Sequence, residues 1–94
     1  MRRRLLDVTA YTTLDFVEGR AYGTDWEEQA PAVVDVGTPE ESEDATGVVR
    51  LSVELDGTDL ERLEPHVDRL ALTPAQARTL AADLTEHADR VEGE

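Results

Sequence analysis

The stretch that most constrains the fold is residues 70–91, where the end of a predicted strand passes directly into a predicted helix. Thr73 is a favoured helix-capping residue, Pro74 suits the first helical position, and Gln76 follows the cap by three residues, which together form a capping-box signature. Gly93 is expected to end the helix. Apolar residues recur within it at helical spacing and form one stripe, made of Ala77, Leu80, Ala81, Leu84, Ala88 and Val91. Such a stripe needs an apolar surface to cover.

The residues before this helix alternate between apolar and polar with a period of two, which is typical of strands that turn one face toward a core. We predict strands at residues 5–16, 30–36, 48–55 and 67–72. Gly19 predicts a turn or a bulge at residues 18–20, after which residues 21–26 either extend the first strand or begin the return. Pro31 lacks an amide hydrogen, so it is expected at the beginning of its strand or on an edge strand. Turn-forming and acidic residues at 37–47 predict a loop, and residues 59–64 a short helical turn.

Strands followed by one terminal helix predict an α+β fold, an antiparallel sheet of about four strands covered on one face by the C-terminal helix. The chain of 94 residues has the length of one domain, which we expect to span residues 1–94. The helix is expected to lie on the apolar face built by Val8, Leu14, Phe16, Val34, Leu51 and Val53.

Charge is the strongest compositional signal. The chain has 22 Asp and Glu residues against 9 cationic residues, all of them Arg, and a net charge of −13. Carboxylates hold water well in concentrated salt, where the Debye length of about 3 Å at 1 M screens their mutual repulsion. We therefore expect a salt-adapted cytoplasmic protein, with an acidic protein of a mesophile or an acidic partner-binding domain as the alternatives. The same charge repels phosphate backbones and anionic lipid headgroups, so neither nucleic acid nor a membrane is an expected partner.

Several classes of function lack their sequence signals. The chain has no cysteine, which excludes disulfides, thiolate metal sites and cysteine nucleophiles. No apolar run approaches the roughly 18 residues of a membrane span. No nucleophile elbow, phosphate-binding glycine loop or catalytic triad pattern occurs. His87 follows Asp83 by one helical turn, a pair that could hold a metal or relay a proton, but no third ligand accompanies it. We predict no catalytic residue, no metal and no cofactor, and hence a protein that is not an enzyme.

The aromatic residues Tyr11, Tyr22 and Trp26 are the predicted interface residues. Tyr11 lies on the strand face opposite Leu14, which the helix cannot cover. Two interpretations stay open, a solvent-facing sheet or a second interface, since open sheet edges recruit partners and aromatic residues are enriched at interface cores. We predict a homodimer through an uncovered sheet face or edge, with an unknown protein partner as a further option.

Three segments resemble a family of small acidic haloarchaeal proteins that has no assigned function. They are the opening LLDVTAYTTLDFVEG, the segment ELDGTDLE and the close HVDRLALTPAQARTLAADLTEHADRVE. The last is also similar to short actinobacterial domains in which a strand runs into an LTPxQAxxLAxxL helix. The resemblance implies the fold and the habitat, and it assigns no catalytic residue.

Two other functions compete with protein association. One is a small-ligand pocket between the sheet and the helix, which buried polar residues beneath Leu80 and Leu84 would favour. The other is an RNA-contacting sheet that uses Arg20, Arg50 and Tyr11.

Overall fold

A computed structural model describes residues 12–39, 47–56, 64 and 66–93. Four strands precede one helix in these ranges: β1 (Leu14–Tyr22), β2 (Glu27–Gly37), β3 (Val49–Leu55), β4 (Asp68–Leu72) and α1 (Pro74–Glu92). The strands form a single sheet in the order β1-β2-β3-β4, and each neighbouring pair is antiparallel. The predicted α+β class, with four antiparallel strands and one C-terminal helix, is confirmed. The strand predicted before residue 12, most of the loop at 37–47 and the helical turn at 59–64 lie outside the described residues.

The first strand extends through Ala21 and Tyr22, one of the two possibilities predicted for these residues. β1 continues through Gly19, and the chain reverses at residues 23–26, where the amide of Gly23 donates a hydrogen bond of 2.9 Å to the carbonyl of Trp26. The turn expected at residues 18–20 is therefore wrong. Glycine is needed at position 19 because a Cβ atom there would lie 2.8 Å from the carbonyl oxygen of Ala30 and 2.9 Å from Cβ of Ala32. Gly19 thus permits close packing of two strands.

Replacing Gly19 by Ala should destabilise the fold. The new Cβ must displace backbone, and overpacking of this kind costs about 1 to 3 kcal/mol. Gly37→Ala is the matched control, because a Cβ at position 37 meets no atom within 4 Å. Urea unfolding followed by circular dichroism measures both variants; equal midpoints for the two would contradict the close approach at Gly19.

A bulge in β1 changes which residues share a face. Leu14 pairs with Val34 and Val17 pairs with Ala32, so β1 carries one extra residue between the two pairs. Phe16 lies in this bulge with φ of 62°, a conformation uncommon for residues other than glycine. The extra residue puts Val17 rather than Phe16 in phase with Leu14. The predicted shared face of Leu14 and Phe16 is therefore wrong.

Pro31 lies inside β2, a central strand, which corrects the expectation of a strand start or an edge. Its carbonyl accepts a hydrogen bond of 2.7 Å from the amide of Asp56, and the β2–β3 pairing ends one residue further on, at Ala32 and Leu55. The amide and carbonyl of one residue in a strand point to the same side. The missing amide of Pro31 therefore faces the end of β3, where the paired ladder has stopped.

The start of α1 is as predicted. The hydroxyl of Thr73 accepts a hydrogen bond of 3.1 Å from the amide of Gln76, and the amide of Thr73 donates one of 2.9 Å to Oε1 of Gln76. Pro74 occupies the first turn, and the helix ends at Glu92 with Gly93 as its cap. The capping box and both helix boundaries follow from local chemistry alone.

The helix does not cover the sheet as expected. None of its residues is buried, it packs chiefly against β4, and Leu84 in the apolar stripe is 63% exposed. One residue, Thr73, separates the end of β4 from the start of α1. A proline disfavours the helical conformation in the residue before it, and Thr73 is extended with ψ of 159°. The connection has no turn that would fold α1 back over the sheet.

Candidate functional site

The strand pairing defines two faces of the sheet. Paired residues of antiparallel strands project to the same side, so the register assigns each residue to a face. One face, here called the front face, is almost wholly apolar. It contains Leu14, Val17, Ala32, Val34, Val36, Val49, Leu51, Val53, Leu55, Leu70 and Leu72.

A large part of the front face is open to solvent. Val36, Leu51 and Leu70 form one row across β2, β3 and β4, in which Val36 is 47% exposed and Leu70 is 56% exposed. The row beside it runs from Leu14 on the edge strand β1, which is also about half exposed, to Asp68 on β4. We call the apolar residues of these two rows the front patch, made of Leu14, Val34, Val36, Leu51, Val53 and Leu70. Contiguous exposed apolar surface of this kind marks interaction sites in natural proteins.

The opposite face is polar in sequence but contains most of the buried residues. Val33, Ser52 and Glu54 are each no more than 3% exposed. Arg69 reaches across from β4 and donates a hydrogen bond of 2.9 Å from Nε to the hydroxyl of Ser52. The apolar side of β3 was expected to face the core, yet the side with Ser52 and Glu54 is the more buried. Buried polar side chains are tolerated where they have partners, as Ser52 has.

His66 lies just before β4 in an exposed ion pair. Its Nδ1 is 2.8 Å from the carbonyl oxygen of Glu64, and its Nε2 is 3.3 Å from Oδ2 of Asp68. The hydrogen bond to the Glu64 carbonyl is the largest influence and raises the pKa of His66, the Asp68 carboxylate raises it further, and partial desolvation opposes both. The folded protein therefore favours the protonated form of His66, whose side chain is exposed.

We expect His66 to titrate above the ordinary histidine pKa, and Asp68→Asn to bring its pKa down. A pKa raised by folding means that the protonated form is favoured in the folded state, so the contribution to stability is present below the unfolded pKa and is lost as pH rises through the folded one. NMR titration of the His66 imidazole protons measures this directly, with His87 as an internal signal for comparison. A pKa of His66 that Asp68→Asn leaves unchanged would contradict the ion pair.

The other predicted pair, Asp83 and His87, lies exposed on α1. Within the described ranges, no group of three or more His, Asp or Glu side chains is arranged to hold a metal ion. Arg20, one of the cations of the RNA hypothesis, forms an ion pair of 3.0 Å with Glu27 across the first hairpin. Its charge is therefore already offset.

The first hairpin brings together two of the predicted interface residues. Tyr22 is the last residue of β1 and is largely exposed, while Trp26 is partly buried against Gly23, where a Cβ atom would overlap the indole ring. Tyr11 lies outside the described residues. Tyr22 and Trp26 thus share one end of the sheet and do not belong to the front patch. The alternation of apolar and polar residues in the strands predicts the apolar face that contains the front patch. The sequence alone suggested that the C-terminal helix covers this face.

An open depression of about 870 Å³ lies beside the same hairpin, with Phe16, Arg20, Tyr22 and Gln29 among its lining residues. This depression is not the ligand pocket that the sequence suggested as an alternative, which would lie between the sheet and the helix. Leu80 and Leu84, which would cover a pocket in that position, are both exposed and do not enclose a cavity.

Comparison with known proteins places the chain in a family but gives it no function. In the part of the chain that the structure describes, α1 is not apolar enough along its length to span a membrane. No curated protein and no solved structure shows a significant match. A family model, described as a family of unknown function (DUF6360), matches residues 1–93. The match covers nearly the whole chain, and the protein therefore belongs to this family of unknown function.

Proposed function

We propose that this chain is a non-enzymatic protein-association domain that works as a homodimer, with the front patch as its main contact surface. The observation that carries the proposal is the apolar row of Val36, Leu51 and Leu70 across β2, β3 and β4, whose two end residues are about half exposed and which the chain's own helix leaves uncovered. Fully burying a large, exposed apolar side chain contributes about 1.5 to 3 kcal/mol. Leu14, Val36 and Leu70 are each about half exposed, so burying them completely contributes roughly half of that amount each toward the roughly 4 to 15 kcal/mol cost of association.

A second copy is a better occupant of the patch than an unrelated acidic or basic protein. The front face has two carboxylates, Glu28 near the first hairpin and Asp68 on the edge strand β4 beside Val53. Two copies can thus meet through apolar residues while their charges stay at the rim, which an isologous twofold contact requires. Because one chain carries −13, the dimer carries twice that charge, and its formation depends on salt.

We further propose that the protein works in a salt-rich cytoplasm. The support is the charge of −13 with Arg as the only cationic side chain besides histidine, together with the dependence of an acidic dimer on screening. Tyr22 and Trp26 stay predicted interface residues at the hairpin. In a dimer through the front patch they lie outside the apolar centre, so truncating Tyr22 should affect association far less than truncating Leu70.

The concentration dependence of thermal unfolding tests the proposal. When the folded form is a dimer and the unfolded form is a monomer, mass action raises the unfolding temperature with protein concentration. We expect a clear rise over about a hundredfold range of concentration in multimolar KCl. An unfolding temperature that stays constant over that range would contradict the homodimer.

A further inference from the structure

Among the described residues, a second apolar surface besides the front patch has no packing partner. The stripe of α1 runs from Ala77 to Val91, and along it Leu80, Leu84 and Val91 are all exposed. Most helical stability in proteins comes from packing of the apolar face rather than from the helix alone. The stripe, like the front patch of the sheet, therefore requires an apolar surface to pack against.

The connection between β4 and α1 keeps these two surfaces of one chain apart. Thr73 is the only residue between Leu72 and Pro74, and the proline and the capping box both fix it in an extended conformation. Connections that fold a helix back onto its own strand usually have two to six residues. The stripe is thus free to meet the front patch of another copy.

The two surfaces match in size and chemistry. From Leu80 to Val91 the stripe is about 17 Å long at 1.5 Å per residue. The sheet measures about 14 Å from β1 to β4 at about 4.8 Å between strands. Both surfaces are aliphatic. The opposite side of α1 is polar and includes an ion pair of 2.8 Å between Arg90 and Glu86, which would remain in solvent with the stripe buried.

We infer that α1 of each copy lies across the front patch of the other copy, so that the two chains exchange their helices. This inference rests on the proposed homodimer and specifies what covers the patch. It assigns Leu80, Leu84 and Val91 of one chain to the surface formed by Val36, Leu51 and Leu70 of the other, and the exchange is reciprocal.

The absence of cysteine from the chain allows a direct crosslinking test. A tagged Val36→Cys protein and an untagged Leu84→Cys protein are unfolded together, refolded in multimolar KCl and treated with a short bismaleimide. We expect a covalent dimer that contains one chain of each kind. Glu86→Cys, on the polar side of α1, replaces Leu84→Cys as the matched control and should give little of this product. Circular dichroism confirms folding of each variant, and a second pair, Leu51→Cys with Ala81→Cys, repeats the test at neighbouring positions.

Three outcomes would overturn the exchange. In the first, Val36→Cys crosslinks to itself and not to Leu84→Cys, which means that two sheets meet face to face. In the second, the double variant Val36→Cys/Leu84→Cys gives an internally crosslinked single chain, which means that the helix covers its own sheet. In the third, the refolded mixture is dimeric but neither pair crosslinks. Light scattering before crosslinking separates these results from failure of the homodimer itself, which would give the mass of one chain.

Discussion

Replacing Leu70 by Glu is expected to convert the dimer into a monomer. Leu70 lies at the end of the exposed row on the front face and is 56% exposed in the single chain. A carboxylate at this position would have to be buried without a partner on association, which costs several kcal/mol. We therefore expect the dissociation constant to rise by at least about a hundredfold. Sedimentation velocity in multimolar KCl measures the change.

Ala71→Glu is the matched control for this substitution. Ala71 is the next residue of β4, is exposed and pairs with Arg50 on the opposite face of the sheet. The two variants therefore add the same charge to the same strand but on different faces. We expect Ala71→Glu to stay dimeric. Equal weakening of the dimer by both substitutions would show that charge alone matters and that the front patch is not the contact surface.

Lowering the salt concentration is expected to destabilise both the fold and the dimer. At about 0.1 M salt the Debye length is about 10 Å, so carboxylates of one chain repel each other and those of its partner, whereas at 1 M it is about 3 Å. With a charge of −13 per chain, we expect the unfolding temperature to rise steeply with KCl and the dimer to dissociate on dilution of the salt.

Sucrose is the control for the salt experiment. It strengthens burial because it is excluded from the protein surface, but it does not screen charge. We therefore expect sucrose at low salt to restore only part of the stability that KCl restores. Equal stability in dilute and multimolar KCl, measured by circular dichroism, would refute the salt adaptation.

Local chemistry made the strand-to-helix junction predictable. The hydrogen bonds between Thr73 and Gln76 join residues three apart, so the sequence contains both partners. The alternation of β3 likewise divided its residues correctly between two faces, because the period of a strand is a property of the strand itself, but it did not predict that the face of Ser52 and Glu54 is the more buried. These features do not depend on how the rest of the chain folds.

Features that depend on a neighbouring strand were not predictable in the same way. Glycine is common in turns, but Gly19 instead allows β2 to approach β1 closely. This role is evident only from its position next to Ala30 and Ala32 of β2. The bulge at Phe16 has no glycine to signal it. Pro31 is tolerated inside β2 because β3 ends beside it, and the end of β3 cannot be predicted from the residues around Pro31.

Only part of the candidate site could be predicted from the sequence, for a related reason. The apolar alternation of residues such as Leu51 and Val53 and the stripe containing Leu84 were both evident, and each predicts a buried surface. Periodicity does not specify which surface covers which, or whether both belong to one chain. Pairing them within the chain was the simplest expectation, and the one-residue connection at Thr73 is the structural reason that it is wrong.

The mass of the protein in solution tests the central claim most directly. Light scattering on a size-exclusion column in multimolar KCl measures it without any substitution. From the chain mass of 10.4 kDa, the homodimer has twice this mass, about 21 kDa, and we expect that value at micromolar concentrations and above. A mass of one chain at the highest concentration that can be reached would contradict the homodimer and, with it, the exchange of helices.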